Sequence, residues 1–181
     1  MMKVIEKIFD DVLLIKPNVF EDNRGYFYES FNMREFSEAC NRNISFFQDN
    51  HSLSAKNVLR GLHYQRHPYE QGKLIRVIKG SIYDVIVNLN SKSSYYMHWR
   101  AFDLNSTNKN ILWIPEGYAH GYLSLEDNTE ITYKATMPYN KDSSVSISYN
   151  DKDLGIEWPS VNMIMSEQDK SAISFKTFQK I

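Results

Sequence analysis

Short apolar segments recur along most of the chain, each separated from the next by Gly, Asn, Ser, Pro or Asp. They are rich in Ile, Val, Tyr, Phe and Thr, which favour strands over helices. Many short strands with frequent turns are typical of an all-β sandwich, jelly roll or barrel. The pattern predicts two short strands within 4–19, and one strand in each of 26–31, 44–48, 58–65, 73–79, 81–89, 97–104, 111–114, 121–125, 130–136 and 145–149.

The alternation of side chains within two strands predicts which of them face inward. Ile131, Tyr133 and Ala135 are two residues apart, so they point the same way and place Tyr133 on an apolar, inward face. On another strand, Asp84 is a lone carboxylate among residues suited to burial. A buried carboxylate needs a partner, so Asp84 is a candidate for an ion pair or a hydrogen-bonded pair.

Two segments carry the signals of a helix start. Residues 32–40 begin with Asn32, a good N-cap, and Glu35 follows three residues later. The apolar content of this helix is thin, so we predict that it lies on the surface. Ser166 and Asp169 form a similar capping box, which predicts a short helix near the end of the chain.

The composition narrows the class of protein. A chain of 181 residues with 42% hydrophobic residues is long enough for one substantial core, so we predict a single domain over 1–181. The aromatic content of 14% suits strands and surfaces that stack on a ligand. The net charge of -1, with both signs well mixed, offers no basic stripe for a phosphate backbone. Nucleic acid is therefore not an expected partner.

The chain has few signals of export or membrane insertion. Cys40 is the single cysteine, so no intrachain disulfide forms, which fits a reducing compartment. Residues 1–9 carry charges among their apolar residues and lack the apolar core of a signal peptide. No apolar window approaches the length of a membrane span. We expect a cytoplasmic protein without a membrane partner.

One strand-like segment, 57–65, contains an arginine, a glycine and a histidine. A histidine in a strand is either a core or rim residue or a catalyst, and His63 alone does not decide between them. A regular strand would point Arg60 and His63 to opposite faces, so a common cavity requires a bulge at Gly61. Otherwise Arg60 is a solvated charge at the barrel rim.

Residues 115–120, PEGYAH, match the second cupin motif P-x-G-x-x-H, in which a turn delivers a histidine into a β-barrel. The first cupin motif normally supplies an H-x-H pair and a glutamate as metal ligands. The matching run here is His63-Tyr64-Gln65, and a carboxamide is a poor substitute for an imidazole on a transition metal. The resemblance implies a cupin-type jelly roll with a few short peripheral helices, and we expect neither a metal nor a cofactor.

Six segments follow one another along the chain: QDNHS (48–52), VLRGLHYQ (58–65), QGKL (71–74), LWIPEGYAHG (112–121), YKAT (133–136) and GIEWP (155–159). Together they resemble the successive motifs of the dTDP-4-dehydrorhamnose 3,5-epimerase family. The resemblance covers nearly the whole chain, from Val4 to Asp169. Six motifs in one order are far more specific than any of them alone.

The resemblance implies a metal-independent isomerase whose substrate is a nucleotide-linked 4-keto-6-deoxy sugar. The protons at C3 and C5 flank a ketone, so their removal gives an enolate and needs a base, an acid and a cation. By resemblance His63 is the base, Tyr133 the acid, Lys73 the cation at the enolate oxygen, and Asp169 the residue that orients His63. From the residues alone, Asp169 could instead serve only its capping box, and Asp84 is the alternative partner of His63.

The resemblance also implies the residues that bind the nucleotide and the sugar. Arg60 meets diphosphate or sugar oxygens, His120 contacts sugar or phosphate unless it is a plain turn histidine, and Tyr139 stacks on the base. The family resemblance further implies a homodimer with exchanged amino-terminal strands. The exchange would bring Arg24 and Glu29 to the partner's nucleotide site. The full substrate-binding set is Arg24, Glu29, Gln48, Asn50, Arg60, His120 and Tyr139.

Two positions depart from the family pattern. Ser144 stands where the family usually has a glutamate, and Gln168 replaces a basic residue before Asp169. These departures leave open dTDP or GDP as the nucleotide, a hexose or a heptose as the sugar, and epimerisation at C3 alone or at both carbons. The alternative functions are a nucleotide-sugar 3,4-ketoisomerase, a non-catalytic cupin sugar-binding module and a metal-dependent cupin enzyme.

Overall fold

The computed structural model describes residues 2–181, and these contain thirteen β-strands and three short α-helices. The elements in chain order are β1 Lys3–Ile8, β2 Val12–Lys16, β3 Phe20–Asp22, β4 Gly25–Phe27, α1 Met33–Cys40, β5 Gln48–Ser54, β6 Leu59–Gln65, β7 Lys73–Lys79, β8 Ser81–Asn88, β9 Trp99–Asn105, β10 Ile111–Ile114, β11 Tyr118–Ser124, β12 Thr129–Ala135, β13 Ser144–Ser146, α2 Glu167–Lys170 and α3 Phe175–Phe178.

Two antiparallel sheets form the body of the molecule. The strand order is β1-β2-β10-β7-β12-β5 in the six-stranded sheet and β13-β6-β11-β8-β9 in the five-stranded sheet, while β3 and β4 form a separate hairpin. The inner faces of both sheets share one apolar core, to which Ile75, Ile131 and Leu112 come from one sheet and Ile82 and Ile86 from the other. This arrangement is the cupin-type jelly roll, so the predicted fold class is confirmed.

The outer face of each sheet is covered by a peripheral segment. Helix α1 covers the six-stranded sheet, where Phe36 is fully buried and packs edge-on against Trp113 with ring centroids 5.2 Å apart. The predicted start of this helix is confirmed, because the Asn32 side chain accepts a hydrogen bond from the Glu35 N–H. The carboxyl-terminal segment with α3 covers the five-stranded sheet through Phe175. None of the helices within 2–181 is long and apolar enough to cross a membrane.

Two predicted strands have the wrong bounds. The strand expected over 26–31 ends at Phe27, and residues 44–47 are irregular, with Ile44 packed under α1. The strand in this region is β5, which begins at Gln48. Its partly or fully buried positions are polar and alternate with exposed ones, so a search for apolar alternation passes over it. These inward residues are Gln48, Asn50, Ser52 and Ser54.

A bulge at Gly61 breaks the regular pairing of β6 with β11. His63 lies opposite His120 and Arg60 lies opposite Tyr122, so β6 has one residue more than β11 between the two pairs. The bulge that the sequence predicted is therefore confirmed. It turns Arg60 toward the six-stranded sheet, where its Nε donates to the inward hydroxyl of Ser54 on β5 at 3.2 Å.

Gly61 has no room for a side chain. Its φ angle is +109°, and a Cβ atom would lie 2.6 Å from the His120 carbonyl oxygen and 2.7 Å from the Gly121 Cα. Both neighbours are backbone atoms of the adjacent strand, which move only if the sheet separates. The bulge thus depends on glycine at this position.

We predict that Gly61→Ala lowers the free energy of unfolding by at least about 2 kcal/mol more than Gly25→Ala, as measured by urea denaturation. Gly25 is the matched control because its φ is +124° while a Cβ there meets nothing within 4 Å. It therefore reports the cost of the backbone conformation alone. Equal losses for the two variants would show that the close approach at Gly61 is not what matters.

Candidate active site

A cavity of about 260 Å³ opens between the two sheets. Its walls come from β6 of the five-stranded sheet, from β7 and β12 of the six-stranded sheet, and from the turn before β11. Most of its lining side chains are polar. The lining residues are His63, Tyr64, Gln65, Gln71, Lys73, Gly117, Tyr118, Tyr133, Tyr139, Ser144 and Gln168.

His63 is partly exposed to this cavity and is held from behind by a carboxylate. Its Nε2 lies 2.7 Å from Oδ1 of Asp169, which is buried. The other oxygen, Oδ2, accepts a hydrogen bond from the Ser166 hydroxyl at 2.7 Å, and Ser166 in turn accepts from the Asp169 N–H. Asp169 thus belongs to the capping box of α2 and contacts His63 at the same time.

The pKa of Asp169 reflects both contacts. Burial raises the pKa of this carboxyl, but hydrogen bonds from His63 and Ser166 outweigh burial, so the pKa lies below its usual value. The Gly61 N–H adds a longer contact to Oδ1, at 3.4 Å. Asp169 is therefore ionised at neutral pH, which favours a hydrogen on the facing nitrogen of His63.

The second candidate carboxylate, Asp84, contacts another histidine. Its Oδ2 lies 2.8 Å from His120 Nε2, and both side chains are buried. Burial lowers the pKa of His120, and Asp84 partly offsets that effect. Oδ1 of Asp84 has no hydrogen-bond partner among residues 2–181. The structure therefore places Asp169, and not Asp84, against His63.

Lys73 is the first residue of β7 and points its ammonium group into the cavity. Within the described part of the chain its Nζ forms no hydrogen bond or ion pair. Burial lowers the pKa of Lys73 to about 8, and the negative charge of Asp84 opposes this shift. The result is an unshared cation in the cavity wall, available to an oxygen of a bound ligand.

Tyr133 faces the same cavity from β12. Burial raises the pKa of its phenol, and although Arg60 acts in the opposite direction, the hydroxyl keeps its proton at neutral pH. Its neighbour across the strand pair is Asn50 of β5, whose Nδ2 is buried and has no partner within 2–181. Tyr133 and Asn50 thus place a phenol and an unpartnered amide next to each other on the six-stranded sheet.

The remaining predicted binding residues occupy different surroundings. Gln48 donates to Asn50 at 2.8 Å and accepts from the Tyr139 N–H at 2.8 Å, which fixes Tyr139 at the mouth of the cavity. Arg24 and Glu29 lie outside it. Arg24 is 85% exposed and pairs with Asp22, and Glu29 is exposed as well. Of the seven predicted binding residues, Tyr139 lines this cavity, whereas Arg24, Glu29, Gln48, Asn50, Arg60 and His120 are not among its lining residues.

Three further polar residues line the cavity, and none of them was assigned a role from the sequence. They are Tyr64, Gln71 and Tyr118, and the Tyr118 hydroxyl donates to Asp11 Oδ1 at 3.3 Å. Burial raises the pKa of Tyr118, so it remains a neutral phenol. Each lies within one of the quoted motifs, one or two residues from His63, Lys73 or His120, and that proximity is the signal that would have identified them.

Gln65 occupies the position at which a cupin metal site has its second histidine. Its Nε2 donates to the carbonyl oxygens of Tyr69 and Pro138, and its Oε1 accepts from the Asn140 N–H at 3.0 Å. The carboxamide is thus engaged with backbone. Across the described residues, no group of three or more His, Cys, Asp or Glu side chains is arranged to hold a metal ion. The side chains present do not fit the cupin metal set.

A cupin barrel with a carboxylate-bound histidine, a protonated phenol and an unshared ammonium around one cavity defines an acid–base enzyme of the cupin class. A sequence model of the dTDP-4-dehydrorhamnose 3,5-epimerase family matches residues 6–177, and the chain belongs to this family. The family predicted from the six motifs is therefore confirmed. It is a family of isomerases.

Relatives of known identity match over nearly the whole chain. The dTDP-4-dehydrorhamnose 3,5-epimerase of Shigella flexneri is 46% identical over 174 residues, which cover 96% of each chain. The crystal structure of the Bacillus anthracis enzyme with TDP and PPi bound is 41% identical, with a TM-score of 0.93 and coverage of 97% of this chain and 100% of that one. The Legionella pneumophila epimerase in complex with dTDP-4-keto-L-rhamnose is 38% identical, with a TM-score of 0.93 and coverage of 97% and 94%.

We predict that Asp84→Asn lowers the pKa of Lys73 below about 8, because it removes the negative charge that favours the ammonium form. The measurement is a ¹³C NMR titration of lysine Cε, with the Lys73 signal assigned by its loss in Lys73→Arg. Asp103→Asn, which changes an exposed carboxylate on β9, is the control and should leave the titration unchanged. A Lys73 pKa that stays constant or rises in Asp84→Asn would contradict the charge coupling.

Proposed function

We propose that this chain is a dTDP-4-dehydrorhamnose 3,5-epimerase, which inverts C3 and C5 of a dTDP-linked 4-keto-6-deoxy hexose through enolate intermediates. The observation that carries the proposal is the convergence of His63 with Asp169, Lys73 and Tyr133 on one cavity. The family membership supports it independently. In this proposal residues 1–181 form one catalytic domain, and the reaction needs no metal or cofactor.

His63 is the base in the proposed reaction. A hydrogen on the ring nitrogen that faces Asp169 leaves a lone pair on the other nitrogen. As the base takes a proton from the carbon next to the ketone, the imidazole becomes positively charged, and the buried carboxylate of Asp169 stabilises that charge. The position of Asp169 behind the ring, away from the sugar, suits this role.

Tyr133 and Lys73 complete the proposed chemistry from the other sheet. Inversion requires that one face of the carbon loses a proton and the opposite face gains one. His63 comes from the five-stranded sheet and Tyr133 from the six-stranded sheet, so the two approach a ligand from different walls. Lys73 then stabilises the negative charge that develops on the ketone oxygen.

The nucleotide lies, in this proposal, toward the mouth of the cavity, where Tyr139 stacks on the base. Gln48, Asn50, Arg60 and His120 contact the sugar and the diphosphate. The relatives named above act on or bind dTDP compounds, which favours dTDP over GDP. Ser144 and Gln168 line the cavity without a charge, so they offer the nucleotide hydrogen bonds only.

The proposed enzyme is a homodimer that works in the cytoplasm. Arg24 and Glu29 are exposed and remote from this chain's cavity, which fits a role in the site of a second subunit. The hairpin near them carries exposed apolar side chains that a partner would cover, with Phe20 60% and Phe27 69% exposed. The single cysteine, Cys40, fits a compartment in which disulfides are rare.

The decisive experiment is incubation with dTDP-linked and GDP-linked 4-keto-6-deoxy sugars in deuterated water, with NMR of the product. We expect deuterium at both C3 and C5 of the dTDP sugar, and none with His63→Ala. A migrated carbonyl would indicate a 3,4-ketoisomerase instead. Full exchange in His63→Ala would overturn the mechanism, and a stoichiometric metal required for activity would indicate a metal-dependent cupin enzyme.

The two buried carboxylates give a matched pair of variants for the role of Asp169. We predict that Asp169→Asn slows the exchange roughly a hundredfold, and far more than Asp84→Asn, because only Asp169 contacts His63. Single-turnover rates of deuterium incorporation make the measurement. If Asp84→Asn has the larger effect, the assignment of Asp169 as the partner of the base fails.

The pH profile tests the role of Lys73. The pKa of this group is lowered to about 8, so the ammonium form is complete below that pH and is lost as the pH rises through it. We expect kcat/KM to fall about tenfold for each pH unit above this value. Arginine keeps its charge at high pH, so the activity that Lys73→Arg retains should not show this fall in kcat/KM. If kcat/KM of Lys73→Arg falls over the same pH range, another group causes the fall.

A further inference from the structure

The backbone just before Lys73 forms hydrogen bonds with a buried threonine at the end of β12. The Gly72 N–H donates to Thr136 Oγ1 at 2.8 Å, and the Thr136 N–H donates to the Gly72 carbonyl oxygen at 3.0 Å. Thr136 is 7% exposed, so both bonds are shielded from water. Thr136 takes no part in the proposed reaction or in substrate binding.

The Thr136 hydroxyl is itself oriented by a carboxylate. It donates to Glu116 Oε1 at 2.9 Å, and Glu116 Oε2 accepts from Arg42 Nη2 at 2.9 Å. Burial raises the pKa of Glu116, but hydrogen bonds from its own backbone N–H, Arg42 and Thr136 outweigh burial and lower the pKa. Because Glu116 is ionised, it fixes the Thr136 proton, and the lone pairs of the hydroxyl face Gly72.

The surroundings of Gly72 leave the segment little freedom. A Cβ atom there would lie 2.6 Å from the Trp113 ring and 3.0 Å from Glu116 Oε1. The next residue, Lys73, is paired with Ile114 of β10 on one side and with Ala135 of β12 on the other. The two neighbouring strands thus fix the backbone of Lys73, and the bonds to Thr136 fix the residue that precedes it.

We propose that Thr136 and Glu116 are positioning residues, which hold Gly72 and thereby fix the direction in which the Lys73 ammonium enters the cavity. Neither residue touches the cavity, so their effect on the reaction passes through Lys73. The catalytic part of this inference rests on the proposed role of Lys73 at the enolate oxygen. The structural part, that the two residues fix the Lys73 side chain, stands without it.

The test replaces Thr136 by valine, which keeps the shape and removes both hydroxyl bonds. We expect kcat to fall roughly tenfold or more with little change in KM, since a small displacement of a charged group is costly in the transition state. Thr136→Ser keeps the hydroxyl and should restore most of kcat. Glu116→Gln should give an intermediate loss, because a carboxamide can still accept from Thr136.

Thr129→Val is the matched control for lost stability. Thr129 starts the same strand, is 1% exposed, and its hydroxyl donates to the Glu126 carbonyl oxygen at 2.8 Å. The substitution therefore removes one buried hydroxyl bond at the end of β12 remote from Lys73. We expect a smaller loss of thermal stability than in Thr136→Val, because one hydroxyl bond is lost and not two, and an unchanged kcat.

A second readout needs no substrate. In the ¹³C titration of lysine Cε, Thr136→Val should raise the pKa of Lys73 from about 8, because a released side chain gains water. Thr136→Ser and Thr129→Val should leave it unchanged. This readout separates the inference from the proposed function, since an inactive wild type would refute the function while the titration still decides the positioning.

Two outcomes would overturn the proposal. One is a Thr136→Val variant with the wild-type pKa at Lys73 and the wild-type kcat. The other is an equal loss of kcat and of thermal stability in Thr136→Val and Thr129→Val, which would mean that either buried threonine merely stabilises the fold.

Discussion

The close approach of β6 and β11 at Gly61 is the contact on which the site depends. It allows β6 to carry one extra residue, so that His63 faces the cavity while Arg60 reaches the inward face of β5. The same backbone unit donates its N–H to Asp169, which holds His63. The position of the proposed base and its contact with a distant helix therefore share one origin, the absence of a side chain at residue 61.

The buried charges of the site are arranged so that each histidine faces a carboxylate and the lysine faces the cavity. Asp169 contacts His63, and Asp84 contacts His120. The negative charge of Asp84 also favours the ammonium form of Lys73. An unpaired buried carboxylate would be costly, so this pairing satisfies the physical requirement of burial. Among the charged side chains of the site, Lys73 has no partner within the described chain. A bound ligand oxygen would therefore stabilise its ammonium group.

Much of the barrel follows from the sequence, because most strands have one apolar face. The predicted bounds of β7 and β10 agree with the structure, and the bulge at Gly61 follows from the need to turn Arg60 and His63 to one cavity. Strand β5 was missed because its inward residues are polar, as the neighbourhood of a polar ligand requires. Apolar alternation predicts a core, and it fails where a strand lines a site.

The capping box at Ser166 shows why a local pattern could not decide the role of Asp169. A carboxylate has two oxygens, and here Oδ2 accepts from Ser166 while Oδ1 faces His63. The sequence presented these contacts as alternatives, but they reinforce each other, since the first turn of α2 fixes the side chain that meets the imidazole. The cap is local, so Ser166 and Asp169, three positions apart, are enough to predict it from the sequence. The contact with His63 spans 106 residues of chain and exists only because the fold brings α2 to β6.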